Sequence, residues 1–174
     1  MASLETQFQN IIKKVRQESV TKMQSKMERA ANKVVNNAAK YKDFHDVTGN
    51  LYKSIAAGTF YKGTLMTIHH TPGASPTRPT LAKGERYDQT TYYDGQTVTQ
   101  LGRPYRGETG TGGQRGEEKA EEVLFDNDSD HSTGLTWQLK VVAGVDYAQY
   151  VETMKKHDVL TSLRDYMVRY FKKM

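Results

Sequence analysis

The residues that could do chemistry are few and poorly spaced for it. The chain has five His, 20 acidic residues and no Cys, so disulfides, thiolate metal sites and cysteine nucleophiles are excluded. His69-His70 ends a predicted strand, where adjacent side chains point to opposite faces and cannot share one metal. Asp43-x-His45-Asp46 reads as a polar helix end. The run Gly-Glu-Thr-Gly-Thr-Gly-Gly-Gln-Arg-Gly at 107–116 has the composition of a phosphate loop. It lacks the Gly-Lys-[Ser/Thr] ending, and no apolar strand precedes it. Asp126-Asn127-Asp128-Ser129-Asp130 places oxygens at the odd positions of a calcium loop. Yet His131 stands where the turn needs Gly, and Trp137 where a bidentate Glu belongs. No Ser-His-Asp set, paired carboxylates or metal-ligand spacing emerges. The expectation is a non-enzyme with no catalytic, cofactor-binding or metal site.

What remains is charge and apolar surface. The 25 basic residues exceed the 20 acidic ones by five, but unevenly. Segment 73–133 carries seven bases and eleven acids, while the other 113 residues net +9. That segment also holds nine of the 14 Gly and three of the four Pro. It reads as a polar, hairpin-containing insertion on a single α+β domain spanning 1–174. A basic body calls for an anionic neighbour, nucleic acid or an acidic protein. An apolar share of 36%, against roughly 45–50% counted with Gly in ordinary domains, makes a lean core. No run approaches the ~18 apolar residues of a membrane helix, and the start lacks the pattern of a secretory signal. A soluble protein of a reducing or redox-indifferent compartment, with no membrane contact, is expected.

The elements follow from periodicity. Residues 4–40 contain neither Gly nor Pro and are rich in helix formers, predicting one long helix or two in sequence. Leu4, Phe8, Ile11 and Val15 share one stripe. Val20, Met23, Met27, Ala30, Val34 and Ala38 share another, rotated by about 100°. The phase changes at Gln17-Glu18-Ser19. The later half should pack on its own domain, and the first stripe should dock elsewhere, on a neighbouring subunit. Along the later half, Lys22, Lys26, Arg29, Lys33 and Lys40 form a row about 60° wide. Intrahelical pairing does not account for it. Either solvent, phosphate or an acidic partner faces that row.

Thr48 is the expected N-cap of a short helix with Leu51 and Ile55 on its apolar side. After Gly58 comes an alternating stretch to Ile68, a strand pair or a bulge near Gly63, stopped by Pro72, Pro76 and Pro79. Tyr92-Tyr93-Asp94-Gly95-Gln96-Thr97-Val98 predicts a hairpin with a type I′ turn, with Tyr92 and Tyr93 as subunit contacts because a lone ribbon is marginal. Segment 102–116 reads as a Gly-rich loop and 117–125 as a two-turn helix. Residues 135–143 alternate as a half-buried strand. Asp146 can cap a short helix to Glu152, and an amphipathic helix starts near Asp158, burying Val159, Leu160, Leu163, Tyr166, Met167, Tyr170 and Phe171.

Two segments carry a resemblance. Thr48-Gly49-Asn50-Leu51-Tyr52-Lys53-Ser54-Ile55, followed by a strand, resembles the TG-x-L-x-x-S-I segment of small tailed-bacteriophage proteins. These are the head–tail joining, tail-completion or minor tail-component proteins of the neck. Val145-Asp146-Tyr147-Ala148-Gln149-Tyr150-Val151-Glu152 resembles the same family's V-x-YA-x-Y-V-E signature, placed after a strand and before a last helix. The resemblance implies an α+β virion protein made in the host cytoplasm. It would assemble as a sixfold or twelvefold homo-oligomeric ring between portal or adaptor and the tail-tube or tail-terminator proteins, surrounding the DNA channel. It gives Thr48, Gly49, Leu51, Ser54, Ile55, Tyr147, Ala148, Tyr150, Val151 and Glu152 structural roles, with Glu152 meeting a basic residue of a neighbour. Non-specific contact with genomic DNA through the basic row is the accompanying expectation. The alternatives are a free-standing nucleic-acid-binding protein that stacks bases on Tyr92 and Tyr93 beside that row, and an enzyme or calcium-dependent module using Asp126 to Asp130.

Overall fold

The computed structural model describes residues 4–42, 44, 47–73, 80–86, 88–93, 96–101, 104, 113–126, 136–154 and 158–173. The fold is α+β. Helix α1 is Leu4–Tyr41, α2 Asn50–Lys53, strand β1 Ile55–Tyr61, β2 Thr64–His70, β3 Asp88–Tyr93 and β4 Gln96–Leu101. Helix α3 is Gln114–Asp126, β5 Trp137–Ala143, α4 Ala148–Met154 and α5 Thr161–Phe171. A three-stranded antiparallel sheet runs β2-β1-β5, and β3 pairs with β4 in a separate ribbon.

Strand β1 is central and buried on both faces for six of its seven residues, which is why its Ile-Ala-Ala-Gly-Thr-Phe sequence shows no polar alternation. Successive side chains serve opposite layers. Ala57 packs with Ala31 and Val35 of α1, while Ala56 and Phe60 pack with Ala120 and Leu124 of α3. Helices α1 and α3 therefore cover opposite faces of one sheet. On the α1 side, α5 completes the layer: Leu163 joins Val34, Ala38 and Ile55 in one cluster, and the Tyr41 and Tyr166 rings meet at 5.4 Å.

Several expectations are corrected. The first strand begins at Ile55, so Gly58 lies inside it rather than before it. The strand pair does form: Lys62 and Gly63 turn with φ of 55° and 83°, as a two-residue type I′ turn requires, and the register shifts between Thr59 and Phe60. Helix α3 starts at Gln114, not Glu117, so the end of the Gly-rich stretch is helical. Ala120 and Leu124, fully buried, tie that part of 73–133 to the core. The α5 helix starts at Thr161, and Asp158 stands before it, its carboxylate accepting the Ser162 N–H at 3.1 Å.

Candidate functional site

The two motif segments meet. Leu51, Tyr52 and Ile55 of the first share one buried cluster with Val145 and Ala148 of the second, and Tyr147 and Val151 pack against it. The sequence predicts Thr48 as the helix cap. Instead Gly49 is the N-cap, at φ 85°, a left-handed conformation that suits Gly. Thr48 Oγ1 accepts the Asn50 N–H at 3.4 Å. The helix ends at Lys53, which puts Ile55 in the sheet and not on the helix face. Ser54 is fully buried, and its hydroxyl donates to the Leu51 carbonyl at 2.8 Å.

Around this short helix three chain segments are tied down. Tyr52 Oη donates to the Pro72 carbonyl at 3.1 Å, and Thr71 Oγ1 donates to the Tyr52 carbonyl at 3.0 Å. Lys53 Nζ donates to the Thr71 carbonyl at 2.9 Å and to Glu117 Oε1 at 2.7 Å. Gly144 N–H donates to the Ser54 carbonyl at 3.0 Å. Segment 48–55 is thus a knot joining the β2 exit, the α3 start and the β5 exit. Lys53 and Glu117 were missed as a pair because 64 residues separate them, and nothing local in either segment announces the other.

Glu152, expected to reach a neighbour, is engaged within its own chain. Its carboxylate accepts the Thr161 N–H at 3.0 Å and the Thr161 hydroxyl, satisfying a free donor at the start of α5. Tyr150 lies within α4.

The other candidate surface is α1. It is one unbroken helix of 38 residues, about 57 Å long at 1.5 Å per residue. Burial begins only at Met27. Leu4, Phe8, Ile11 and Val15 are 86%, 62%, 59% and 56% exposed. Met23, expected on the buried stripe, is 39% exposed. Lys22, Lys26, Arg29, Lys33 and Lys40 are all exposed. Two of them have aromatic partners: Lys33 lies over the Tyr170 ring at 5.0 Å and Lys40 over Tyr41 at 5.9 Å. Among the described residues, Lys22, Lys26 and Arg29 make no ion pair.

The histidines separate as strand geometry requires. His69 Nδ1 lies 3.1 Å from Asn32 Oδ1 on α1, whereas His70 Nε2 lies 3.1 Å from Glu121 Oε1 on α3. Burial pushes the His69 pKa down, Glu28 opposes that, and His70 adds to it. Among the described residues no group of three His, Asp or Glu could hold a metal, and no helix is long and apolar enough to cross a membrane. The ribbon pairs Tyr92 with Thr97 and Tyr93 with Gln96. The expected turn at Asp94-Gly95, segments 105–112 and 127–135, and Asp43, His45, Asp46, Pro76 and Pro79 lie outside the described residues.

No family model, characterised protein or solved structure matches this chain. Function therefore rests on the surfaces described above.

Proposed function

We propose that the chain is a structural virion protein of a tailed bacteriophage, a ring-forming component of the neck that joins the portal side to the tail around the DNA channel. One observation carries this reading. Leu4, Phe8, Ile11 and Val15 form an apolar line along an unbroken helix that its own domain leaves uncovered. A helix pays for such exposure unless another chain covers it, and rings of identical subunits supply covering surfaces of this kind. The joining of the two resembling segments into one buried knot adds support, since a shared core gives both motifs a common structural reason.

In a lysate of infected cells deprived of this protein, electron microscopy should find filled heads and finished tails that remain unjoined. Intact, joined virions in its absence overturn the proposal.

The second reading is nucleic-acid binding through the basic row. Its supporting observation is that Lys22, Lys26 and Arg29 are exposed without a counter-ion among the described residues. Salt-sensitive DNA retention by the purified chain tests it, and failure to retain DNA at low salt ends it.

A further inference from the structure

The two helical faces of the sheet carry opposite charge. Helix α1 has eight bases against three acids, and α3 has five acids against two bases. They lie on opposite sides of the same three strands, since Ala57 faces α1 and Ala56 faces α3. On α3 the inner acids are used by the chain itself: Glu117 binds Lys53, and Glu121 meets His70. The outer line is Glu118, Glu122, Phe125 and Asp126, all exposed. Glu118 and Glu122 have Arg115 and Lys119 beside them, exposed i,i+3 contacts of a kind that contributes little.

The dimensions agree as well. Lys22, Lys26 and Arg29 cover seven residues of helix rise, about 10 Å, and Glu118 to Asp126 covers eight, about 12 Å. Each series is flanked by an uncovered apolar side chain: Val15, 56% exposed, precedes the cations, and Phe125, 58% exposed, adjoins the acids at their C-terminal end. Laid antiparallel, the two helices match cations to carboxylates and bring Phe125 towards Val15.

We infer that the acidic α3 face of one copy docks on the Lys22–Lys26–Arg29 line of α1 of the next copy. The occupant is a second copy of this chain, joined head to tail. A contact between two different patches on opposite sides of the sheet is heterologous, so it propagates and closes into a ring when the rotation permits. This deepens the ring reading and rests on it. It also removes the need for DNA opposite these three cations.

Reciprocal charge reversal tests the contact. One variant carries Lys22→Glu, Lys26→Glu and Arg29→Glu, and the other carries Glu118→Lys, Glu122→Lys and Asp126→Lys. Each variant alone presents like charges on both faces and should associate at least tenfold more weakly than the native chain. Mixed in equal amounts, each supplies what the other lacks, and the native mass should return. Circular dichroism and melting temperature check that both remain folded. If reversal at the α3 acids disturbs that helix, Glu118→Gln, Glu122→Gln and Asp126→Asn replaces it and should weaken assembly in the same direction.

The outcomes are distinguishable. Oligomers of native size from either variant alone overturn this contact and leave the ring reading standing. Variants that dissociate but do not re-form on mixing also overturn it. A native chain that never associates overturns both the contact and the ring. Loss of DNA retention with unchanged mass in the Lys22→Glu, Lys26→Glu, Arg29→Glu variant assigns the row to nucleic acid and overturns the inference.

Discussion

At the scale of single residues, close approach and buried polar pairing govern this protein. A Cβ placed on Gly116 would lie 2.1 Å from the Asn50 carbonyl oxygen and 2.9 Å from the Ser54 nitrogen. Both are backbone atoms of the knot, so they cannot swing aside. Gly116→Ala should therefore cost about 3 kcal/mol, lowering the melting temperature by roughly 6–12 °C for a domain of this size. An unchanged melting curve contradicts the tight α2–α3 packing. The composition of 102–116 marked Gly-rich chain but could not say which Gly touches another segment, because that contact is made 66 positions away in sequence. His69 supplies a pH dependence. Its folded pKa lies below its ordinary value of 6.5, so the unfolded chain takes up the proton first as pH falls. The stability present above about pH 6.5 is then lost on acidification towards the folded pKa. Between pH 7 and 5 the melting temperature should fall more steeply for the native chain than for His69→Gln. Equal slopes contradict the partial burial of His69, which projects from β2 to Asn32 of α1.

At the scale of elements, periodicity was readable wherever one face is solvated. The strand at β5, the amphipathic α5 and the long α1 are all visible as patterns of 2 or 3.6 residues. Strand β1 is not, because both its faces are covered and its sequence reads as a continuous apolar run. The sequence predicts a shorter α3 because Gly113 and Gly116 suggest a loop, whereas Gly116 admits the α2 backbone and Gly113, at φ 99°, lies against the Lys53 side chain. Leu124 is the anchor of that helix: it is fully exposed to none of the solvent and packs with Ala56, Phe60 and Ala120. Leu124→Ala should destabilise by roughly 2–5 kcal/mol, read by urea unfolding. A loss under about 1 kcal/mol would mean that α3 is dispensable to the core, in conflict with the full burial of Leu124. The cap that Glu152 provides for α5 has a smaller expected effect. Glu152→Ala should cost about 1 kcal/mol, with Glu152→Gln retaining part of it.

At the scale of the whole molecule, the chain is a sheet clasped between a basic and an acidic helix, with the first half of α1 extending past everything that buries the second half. The phase change at Gln17-Glu18-Ser19 is legible in the sequence, but burial along α1 begins only at Met27, further along the helix than that change of phase implies. Where the exposed half goes is not legible, since four apolar positions name no partner. The most direct measurement is the native mass of the purified chain up to about 100 µM, enough to populate contacts of micromolar affinity, beside a variant carrying Leu4→Ser, Phe8→Ser, Ile11→Ser and Val15→Ser. The native chain should sediment as a closed oligomer, a whole multiple of 19.7 kDa. The variant should keep the native melting temperature of its core, because none of the four side chains is buried, and should sediment as single copies. A native chain of 19.7 kDa at every concentration, or a serine variant that assembles as well as the native one, would contradict an incomplete subunit finished by its neighbours.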